Sequence, residues 1–259
     1  MYVISQSEVK FLRSLSIKRY RKLEKKFVIE GYRLIEEALS SNCLFHQIWM
    51  SKKFHDSYHG KKILPQINRQ KISYKITRSV SIQSVGGTRH NQGIVALLSL
   101  PDIYTEPKIK NPSLFLDNIA DPGNLGTLFR TAEWFGIKNV YLNNKTVDPF
   151  NPKVIRSGMG AHFHLNFYMM NDINTLFKNF RKKKFHIIGA DLKGQPVNSI
   201  SKIKNHRWVL ILGSEAHGLS EDIAYYLTQR VFIPKIGNIE SLNVTVSGGI
   251  ILSKLTEDR

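Results

Sequence analysis

The chain has 259 residues, 42% of them hydrophobic, which is enough apolar material for one large or two medium-sized domains. No run approaches the roughly 18 uninterrupted apolar residues of a membrane helix, and the first residues lack the charged-then-apolar layout of a secretory signal, so we expect a soluble cytoplasmic protein. The 38 basic and 20 acidic residues leave a net charge of +18, which favours a polyanionic partner, although a basic surface that serves only solubility is the alternative.

The first hundred residues predict a small α/β unit. A basic helical stretch opens it, followed by the short apolar run FVIEG and a helix over about residues 32–39. HQIWMS, KKILPQ and SYKITR are predicted as short strands or strand ends, and GIVALLSL (93–100) as a strand. Residues 1–110 hold 20 basic and 8 acidic residues, a balance of +12, so the positive charge is concentrated in this part.

Residues 101–113 contain three prolines and no periodic pattern, so they predict a linker between an N-terminal domain (1–104) and a C-terminal domain (105–259). Beyond the linker, apolar strands alternate with helices, which favours an open parallel α/β sheet covered on both faces. The predicted strands are SLFLDNI (113–119), NVYLN (139–143), FHLNFY, FHIIGAD and WVLILGSE (208–215), and the predicted helices run from Thr127 to Phe135, around 150–159 and near 172–182.

Ligand sites in such sheets follow the carboxyl ends of strands, and the standard nucleotide motifs fail there. SGMGAHF has Phe163 where a dinucleotide fingerprint needs its third glycine, and GSEAHGLS has Leu219 where a phosphate loop needs lysine. The histidine pairs have no cysteine or carboxylate at ligand spacing, so we expect no metal. The single Cys43 excludes an internal disulfide and fits a reducing compartment.

Three loops carry N-x-x-D-P-G-N-x-G-x-x-x-R-T-A (118–132), G-S-E-x-x-G-L-S (213–220) and I-P-x-x-G-x-x-x-S-L-N-V (233–244). In this order they resemble the three signature motifs of the SpoU (TrmH) family of RNA ribose 2′-O-methyltransferases, and the resemblance covers about residues 112–255. The front piece, with EGYRLIEEAL and GIVALLSL, resembles more loosely the ribosomal-protein-like RNA-binding domain of many members.

The resemblance implies an α/β SPOUT fold, in which a trefoil-knotted parallel sheet forms the catalytic domain behind a small α/β substrate-binding domain. It also implies a homodimer, S-adenosylmethionine held in the knot with its adenine on backbone groups, and ribosomal or transfer RNA as the partner. The sequence pattern alone would favour an unknotted sheet, since knots are nearly absent from proteins.

The resemblance also assigns residues. Arg130 would contact the target ribose or phosphate, and because the pKa of a guanidinium exceeds about 12, it would stabilise a developing alkoxide or orient phosphate rather than remove a proton. The candidate catalytic residues are Arg130, Asn124, Glu215, Ser241 and Asn243. The candidate cofactor residues are Leu212, Gly213, Ile233, Ser241, Leu242 and Asn243. The positive charge of the front domain, rather than the resemblance, indicates the candidate RNA contacts Arg19, Arg21, Lys22, Lys25, Arg33 and Arg89.

Structural interpretations remain open for several of these residues. Asn124 is also typical of a turn, Glu215 of a helix start, and Ile233 and Leu242 of a core. The leading hypothesis is an S-adenosylmethionine-dependent ribose 2′-O-methyltransferase acting on rRNA or tRNA. The alternatives are a non-enzymatic RNA-binding or ribosome-assembly factor with the same fold, and methylation of an RNA base.

Overall fold

The computed structural model describes residues 2–78, 92–202, 207–214 and 218–257, without the side chains of residues 201 and 202. Its contacts divide the chain into two units. One comprises Met1–Pro101 and Phe150–Phe163, and the other comprises Asp102–Pro149 and His164–Arg259. The domain boundary between residues 104 and 105 stays a prediction. Among the described residues, no helix combines the length and the apolarity needed to cross a bilayer.

The first unit is built on a four-stranded sheet with the order β1-β4-β2-β3, in which only the β2–β3 pair is parallel. Its strands are β1 (Lys26–Glu30), β2 (Phe45–Ser51), β3 (Tyr74–Thr77) and β4 (Ile94–Ser99). Its helices up to residue 101 include α1 (Gln6–Ser14), α2 (Lys18–Glu24), α3 (Tyr32–Leu39), α4 (Lys52–His55) and α5 (Tyr58–Arg69). The small α/β unit expected at the front of the chain is therefore confirmed.

One predicted element of this unit is wrong. Residues 61–66 lie inside α5 rather than in a strand. Ser57 caps the helix through a hydrogen bond from the Gly60 N–H, and Ile63 and Ile67, four residues apart, are buried on one helix face. Pro65 lies within the helix. In the short apolar segment around this proline, the helical spacing of the two isoleucines is not apparent from the sequence.

The remaining elements follow in chain order and include all strands of the second unit. They are β5 (Ser113–Leu116), α6 (Pro122–Trp134), β6 (Asn139–Asn143), α7 (Pro152–Gly158), the 3₁₀ helix Ala161–Phe163, β7 (Asn166–Met170), α8 (Ile173–Lys182), β8 (His186–Pro196), the 3₁₀ helix Val197–Lys202, β9 (Trp208–Leu212), α9 (Glu221–Ala224), β10 (Gln229–Phe232) and α10 (Val244–Thr256).

Residues 150–163, which include α7, pack within the first unit although they lie between β6 and β7 in sequence. The Phe150 ring meets the Phe27 ring edge-on, with 5.1 Å between the centroids. Gly160 has a φ of +98°, and a Cβ there would lie 2.7 Å from Cγ of Glu37. Glycine is therefore required for this close approach.

The second unit contains a six-stranded sheet with the order β10-β8-β9-β5-β6-β7, and every pair of neighbouring strands is parallel. This confirms the open parallel α/β sheet. The helices cover both faces. Phe177 of α8 and Ile223 of α9 pack in a core cluster with Phe115 and Ile211. Side chains alternate along strands, and the residue after Phe167 in β7 belongs to this cluster, so Phe167 lies on the opposite face of the sheet. There its ring meets the ring of Phe129 in α6, with 4.7 Å between the centroids.

The strand order reverses in the middle of this sheet. From β5 the chain proceeds outward through β6 and β7, and it then returns to the other side of β5 for β8, β9 and β10. In open α/β sheets, such a reversal opens a crevice at the carboxyl ends of the central strands, and ligands bind there. A ligand site is therefore expected at the carboxyl ends of β5 and β9.

Candidate active site

A buried carboxylate joins the carboxyl ends of three neighbouring strands. Asp117 directly follows β5 and is fully buried. Its Oδ1 accepts a hydrogen bond from Nδ2 of Asn143 at the end of β6 (2.5 Å), and its Oδ2 accepts one from the N–H of Ser220 in the loop after β9 (2.7 Å). The Asp117 N–H donates to the carbonyl of Leu212 at the end of β9 (2.9 Å). Asp117 thus fixes the loop after β9 to the centre of the sheet.

Asn143 extends this polar network to the loop after β5. Its Nδ2 also donates to Oδ1 of Asn118 (2.7 Å), and its Oδ1 accepts from the N–H groups of Asn118 (3.2 Å) and Thr146 (3.1 Å). Asn118 has a φ of +59°, a left-handed conformation that asparagine tolerates better than most residues. These hydrogen bonds therefore hold the turn from which the first signature loop begins.

The first and third signature loops meet through two asparagines. Asp121 caps α6, and its Oδ1 accepts from the N–H of Asn124 (2.8 Å). Asn243 caps α10, and its Oδ1 accepts from the N–H of Thr245 (2.8 Å). Nδ2 of Asn243 then donates to Oδ1 of Asn124 (3.2 Å), across 119 residues of sequence. Two candidate catalytic residues are thus in contact, at the adjoining N-termini of two helices.

Helices α6 and α10 continue side by side from this contact. A Cβ on Gly248 would lie 2.8 Å from Cδ1 of Leu212 and 3.0 Å from Cδ2 of Leu128, so glycine permits close packing of α10 on α6 and β9. One residue further along α10, the Cβ position of Gly249 is 3.8 Å from Cγ2 of Thr131. The two helices therefore run in the same direction from the carboxyl edge of the sheet.

Arg130 lies farther along α6. Six residues separate it from Asn124, which corresponds to about 9 Å along the helix axis and about 120° around it, so the two side chains leave different sides of the helix. Arg130 is exposed. Within the described ranges, no hydrogen bond or ion pair holds its guanidinium, which leaves that group available to an external anion.

The loop after β9 closes tightly on itself. Ser214 and Gly218 exchange backbone hydrogen bonds of 3.1 and 2.8 Å. A Cβ on Gly213 would lie 2.3 Å from the Gly218 carbonyl oxygen and 2.8 Å from the Leu219 nitrogen, so only glycine fits. Leu212, just before it, is buried. Glu215 lies outside the described residues, and its assignment as a catalytic residue stays a prediction.

The third signature loop exposes apolar side chains. Ile233 is half-buried, and Ser241 and Leu242 are exposed. Ile236 and Ile239 are among the most exposed apolar residues described, at 105% and 67%. The sequence motifs gave no role to either isoleucine. Exposed isoleucines in a loop beside the crevice indicate that this loop could form an apolar wall of a ligand site. Their exposure could not be predicted from the sequence.

The candidate RNA contacts of the first unit divide into three groups. Arg19, Lys22, Lys25 and Arg33 are exposed. Arg21 does not fit the assignment, because it is 2% exposed and its Nη1 donates to the carbonyls of Leu15 (2.8 Å) and Ser16 (2.7 Å). Its guanidinium holds the turn between α1 and α2. The role of Arg21 is therefore structural, and its assignment as an RNA contact is wrong. Arg89 lies outside the described residues.

Replacing Asp117 with alanine is expected to lower the free energy of unfolding by about 3 kcal/mol, because the Ser220 N–H and the Asn143 amide would lose a buried acceptor. Chemical denaturation monitored by circular dichroism measures this change. Asp222→Ala, which removes an exposed carboxylate, is the control and is expected to stay within about 0.5 kcal/mol of the parent. Equal stability of the two variants would contradict the role of Asp117.

Comparison with known proteins identifies both parts of the chain. Residues 111–253 match the SpoU rRNA Methylase family, and residues 6–96 match an MRM3-like substrate binding domain. The 23S rRNA (guanosine(2553)-2′-O)-methyltransferase RlmP of Bacillus subtilis is 29% identical over 96% of this chain and 95% of its own length.

Solved structures agree with these matches. A putative RNA methyltransferase of the TrmH family from Porphyromonas gingivalis superimposes with a TM-score of 0.81 at 29% identity, over 98% of this chain and 99% of that one. The SpoU methyltransferase AviRb of Streptomyces viridochromogenes shares the fold, with a TM-score of 0.83 at 18% identity over 98% of both chains. Because the methylase match alone covers more than half of its length, the chain belongs to the SpoU rRNA methylase family.

Proposed function

We propose that the protein is an S-adenosylmethionine-dependent methyltransferase that methylates a ribose 2′-hydroxyl of ribosomal or transfer RNA. The hydrogen bond between Asn124 and Asn243 carries the proposal, because it joins two of the three signature loops beside the crevice of the sheet. The names of the relatives support the same chemistry, since RlmP is a 2′-O-methyltransferase of 23S rRNA.

The residues at this edge suit a nucleoside cofactor. Gly213 carries no side chain that would shield its peptide groups from a flat ring, and Leu212 ends β9 while Ile233 follows β10. Exposed Ile239 and Leu242 provide apolar walls. The N-terminus of the 13-residue α10 carries the positive end of the helix dipole, which favours a carboxylate nearby. When bound, S-adenosylmethionine supplies an electrophilic methyl group.

We assign Arg130 to the RNA. Its exposed, positively charged guanidinium offers five donors in a planar fork that matches phosphate or a developing alkoxide. Asn124, held by Asn243, presents an amide beside the crevice and orients the ribose. Ser241 and Glu215 complete the proposed set, with Ser241 in the exposed loop before α10 and Glu215 as a partner for Arg130.

We further propose that the catalytic unit is knotted. The loop after β9 is closed by the Ser214–Gly218 bridge and fixed to Asp117 through Ser220. The chain beyond β10 must pass this loop to bring Asn243 to Asn124. A trefoil knot, in which the C-terminal segment threads through a wider loop of the catalytic unit, accounts for the contact between Asn243 and Asn124. We also propose a cytoplasmic location, which the similarity to the bacterial enzyme RlmP supports.

We also propose a homodimer formed through α6 and α10. Trp134 is 84% exposed, and Val246 and Ile250, at helical spacing on α10, are 49% and 36% exposed. α6 and α10 pack side by side at Thr131 and Gly249, so these exposed apolar side chains lie on two neighbouring helices. An exposed apolar patch of this kind marks an interface, and a second copy of the chain would cover it.

Trp134→Glu is expected to convert the dimer to monomers, because a carboxylate would be buried without a partner in the proposed interface. Sedimentation velocity measures the change. Leu192→Glu, at a 71% exposed apolar residue of β8, is the control and should leave the dimer intact. A monomeric parent protein, or an unchanged Trp134→Glu dimer, would refute this interface.

The methyltransferase proposal is tested by incubating the purified protein with S-adenosylmethionine carrying a tritiated methyl group and with rRNA or tRNA from cells that lack the protein. Transfer of the label to one of these RNAs is expected. Tight RNA binding without any transfer would support the non-enzymatic alternative instead, and label on a base would support base methylation.

A further inference from the structure

Arg181, near the end of α8, is held in a fixed position on the surface of the catalytic unit. Its Nη2 donates to the carbonyl of Tyr225 (2.8 Å), and its guanidinium carbon lies 4.9 Å from the ring centroid of Tyr226 and 5.3 Å from that of Tyr225. Tyr226 in turn stacks on Phe177 in the core, with an interplanar angle of 15°. Among the described residues, a carbonyl and two aromatic rings rather than a carboxylate hold this arginine in place.

The residues that follow Arg181 are all basic. Lys182, Lys183 and Lys184 are exposed at the end of α8, and Lys178 is exposed one turn earlier. Within the described part of the chain, none of the three consecutive lysines forms an ion pair. Lys178 interacts electrostatically with Asp172, which caps α8, and Glu221 and Asp222 of α9 lie shortly before Tyr225, so the five basic residues outnumber these three acidic ones.

Tyr225 adds an exposed aromatic ring to this cluster. It is 74% exposed and stands edge-on to Tyr226, at 83° and 5.2 Å between centroids. Its carbonyl accepts from Arg181, so the backbone that carries the ring is anchored beside the lysines. An exposed aromatic ring bordered by cations is the combination that binds single-stranded RNA, because bases stack on the ring while the cations contact phosphates.

This surface lies away from the proposed active site. The end of α8 leads into the start of β8, and Tyr225 lies just before the start of β10, so both lie towards the amino ends of the strands. The signature loops lie at the carboxyl ends. A strand of five residues such as β9 spans about 17 Å, which is the approximate separation of the two edges.

We propose that Arg181, Lys182, Lys183, Lys184 and Tyr225 form a distal RNA-binding surface, which holds a single-stranded segment of the substrate while another part of it occupies the active site. The inference rests on the proposed RNA substrate. The cations contact the backbone and position the RNA, and Tyr225 stacks on an unpaired base. The surface would favour long substrates, because an RNA of only a few nucleotides cannot span both edges of the sheet.

The test compares two triple variants that lose the same charge. The first is Lys182→Gln, Lys183→Gln and Tyr225→Ala. The control, Lys193→Gln, Lys254→Gln and Leu192→Ala, changes exposed or partly exposed residues of the same unit outside this surface. Filter binding to rRNA purified from cells that lack the protein, at several salt concentrations and without a methyl donor, measures affinity independently of activity.

We expect the first variant to bind this RNA about 10-fold or more weakly than the control, and the slope of log affinity against log salt to fall by about 1.4 because two phosphate contacts are lost. Ultraviolet cross-linking of the parent protein to rRNA containing 4-thiouridine should label the peptide that contains Tyr225. These results would support the distal RNA-binding surface even if no methyl transfer were found. The absence of methyl transfer would refute only the proposed methyltransferase function.

Equal affinity of the two triple variants would overturn the inference, as would a loss of affinity without a cross-link in the segment around Tyr225. If the first variant is poorly folded by circular dichroism, Tyr225→Ala alone replaces it. Stacking of one base predicts about a 5-fold or greater loss for this single change, and no loss would overturn the inference.

Discussion

Arg130→Ala is expected to lower kcat for methyl transfer at least about 100-fold and to leave the affinity for S-adenosylmethionine nearly unchanged. The exposed guanidinium has no partner among the described residues, so its removal would disturb no described hydrogen bond of the fold. It would remove the charge that we assign to the reacting ribose or its phosphate, and loss of one such donor typically costs about 10²–10³ in kcat. Single-turnover kinetics and calorimetric titration with the cofactor measure the two quantities.

Arg130→Lys is the matched control for charge. Lysine keeps the positive charge but not the planar fork of donors, so we expect activity between those of the parent and the alanine variant. If Arg130→Ala transfers methyl groups at the parental rate, Arg130 is not part of the site. A parallel loss of cofactor affinity would move Arg130 from the RNA to the cofactor.

Gly213→Ala is expected to weaken S-adenosylmethionine binding at least about 10-fold and to lower the stability of the protein. The added Cβ would lie 2.3 Å from the Gly218 carbonyl oxygen, so the backbone of the loop after β9 must move. That movement would open the Ser214–Gly218 bridge and displace the peptide groups proposed to bind adenine. Calorimetric titration and thermal unfolding measure the two effects, and overpacking of this kind commonly costs about 1–3 kcal/mol.

Gly237→Ala separates a steric effect from a general effect of alanine. A Cβ on Gly237 has no atom of the described residues within 4 Å, and the residue has no positive φ, so we expect a stability close to that of the parent. If Gly213→Ala were as stable as Gly237→Ala and bound the cofactor normally, the tight loop after β9 would not be part of the cofactor site.

Local patterns predict the elements of this protein well where a strong periodicity is bounded by breakers. α3 spans Tyr32–Leu39 and β6 spans Asn139–Asn143, both as predicted. The parallel sheet also follows from the alternation of apolar strands with helices. The prediction fails within α5, where a proline in a short apolar window conceals the helical spacing of two buried isoleucines.

The long-range contacts of the site could not be predicted from periodicity. Asp117 follows an apolar strand, as many exposed turn residues do, and nothing local reveals that Ser220 will donate to it from 103 residues away. The family motifs identify Asn124 and Asn243 but not their hydrogen bond. Conversely, Arg21 lies in a run of basic residues that predicts a single exposed surface. Its burial depends on hydrogen bonds to the carbonyls of the turn after α1, which the sequence does not reveal.

The central claim, methylation of a ribose hydroxyl, is tested most directly by locating the transferred methyl group. RNA from cells that lack the protein is incubated with the protein and with S-adenosylmethionine carrying a trideuterated methyl group, digested to nucleosides and fragmented in a mass spectrometer. We predict that the label stays with the sugar, as a 2′-O-methyl nucleoside whose base fragment has its ordinary mass. Label on the base fragment, or in no nucleoside of rRNA or tRNA, would contradict the account.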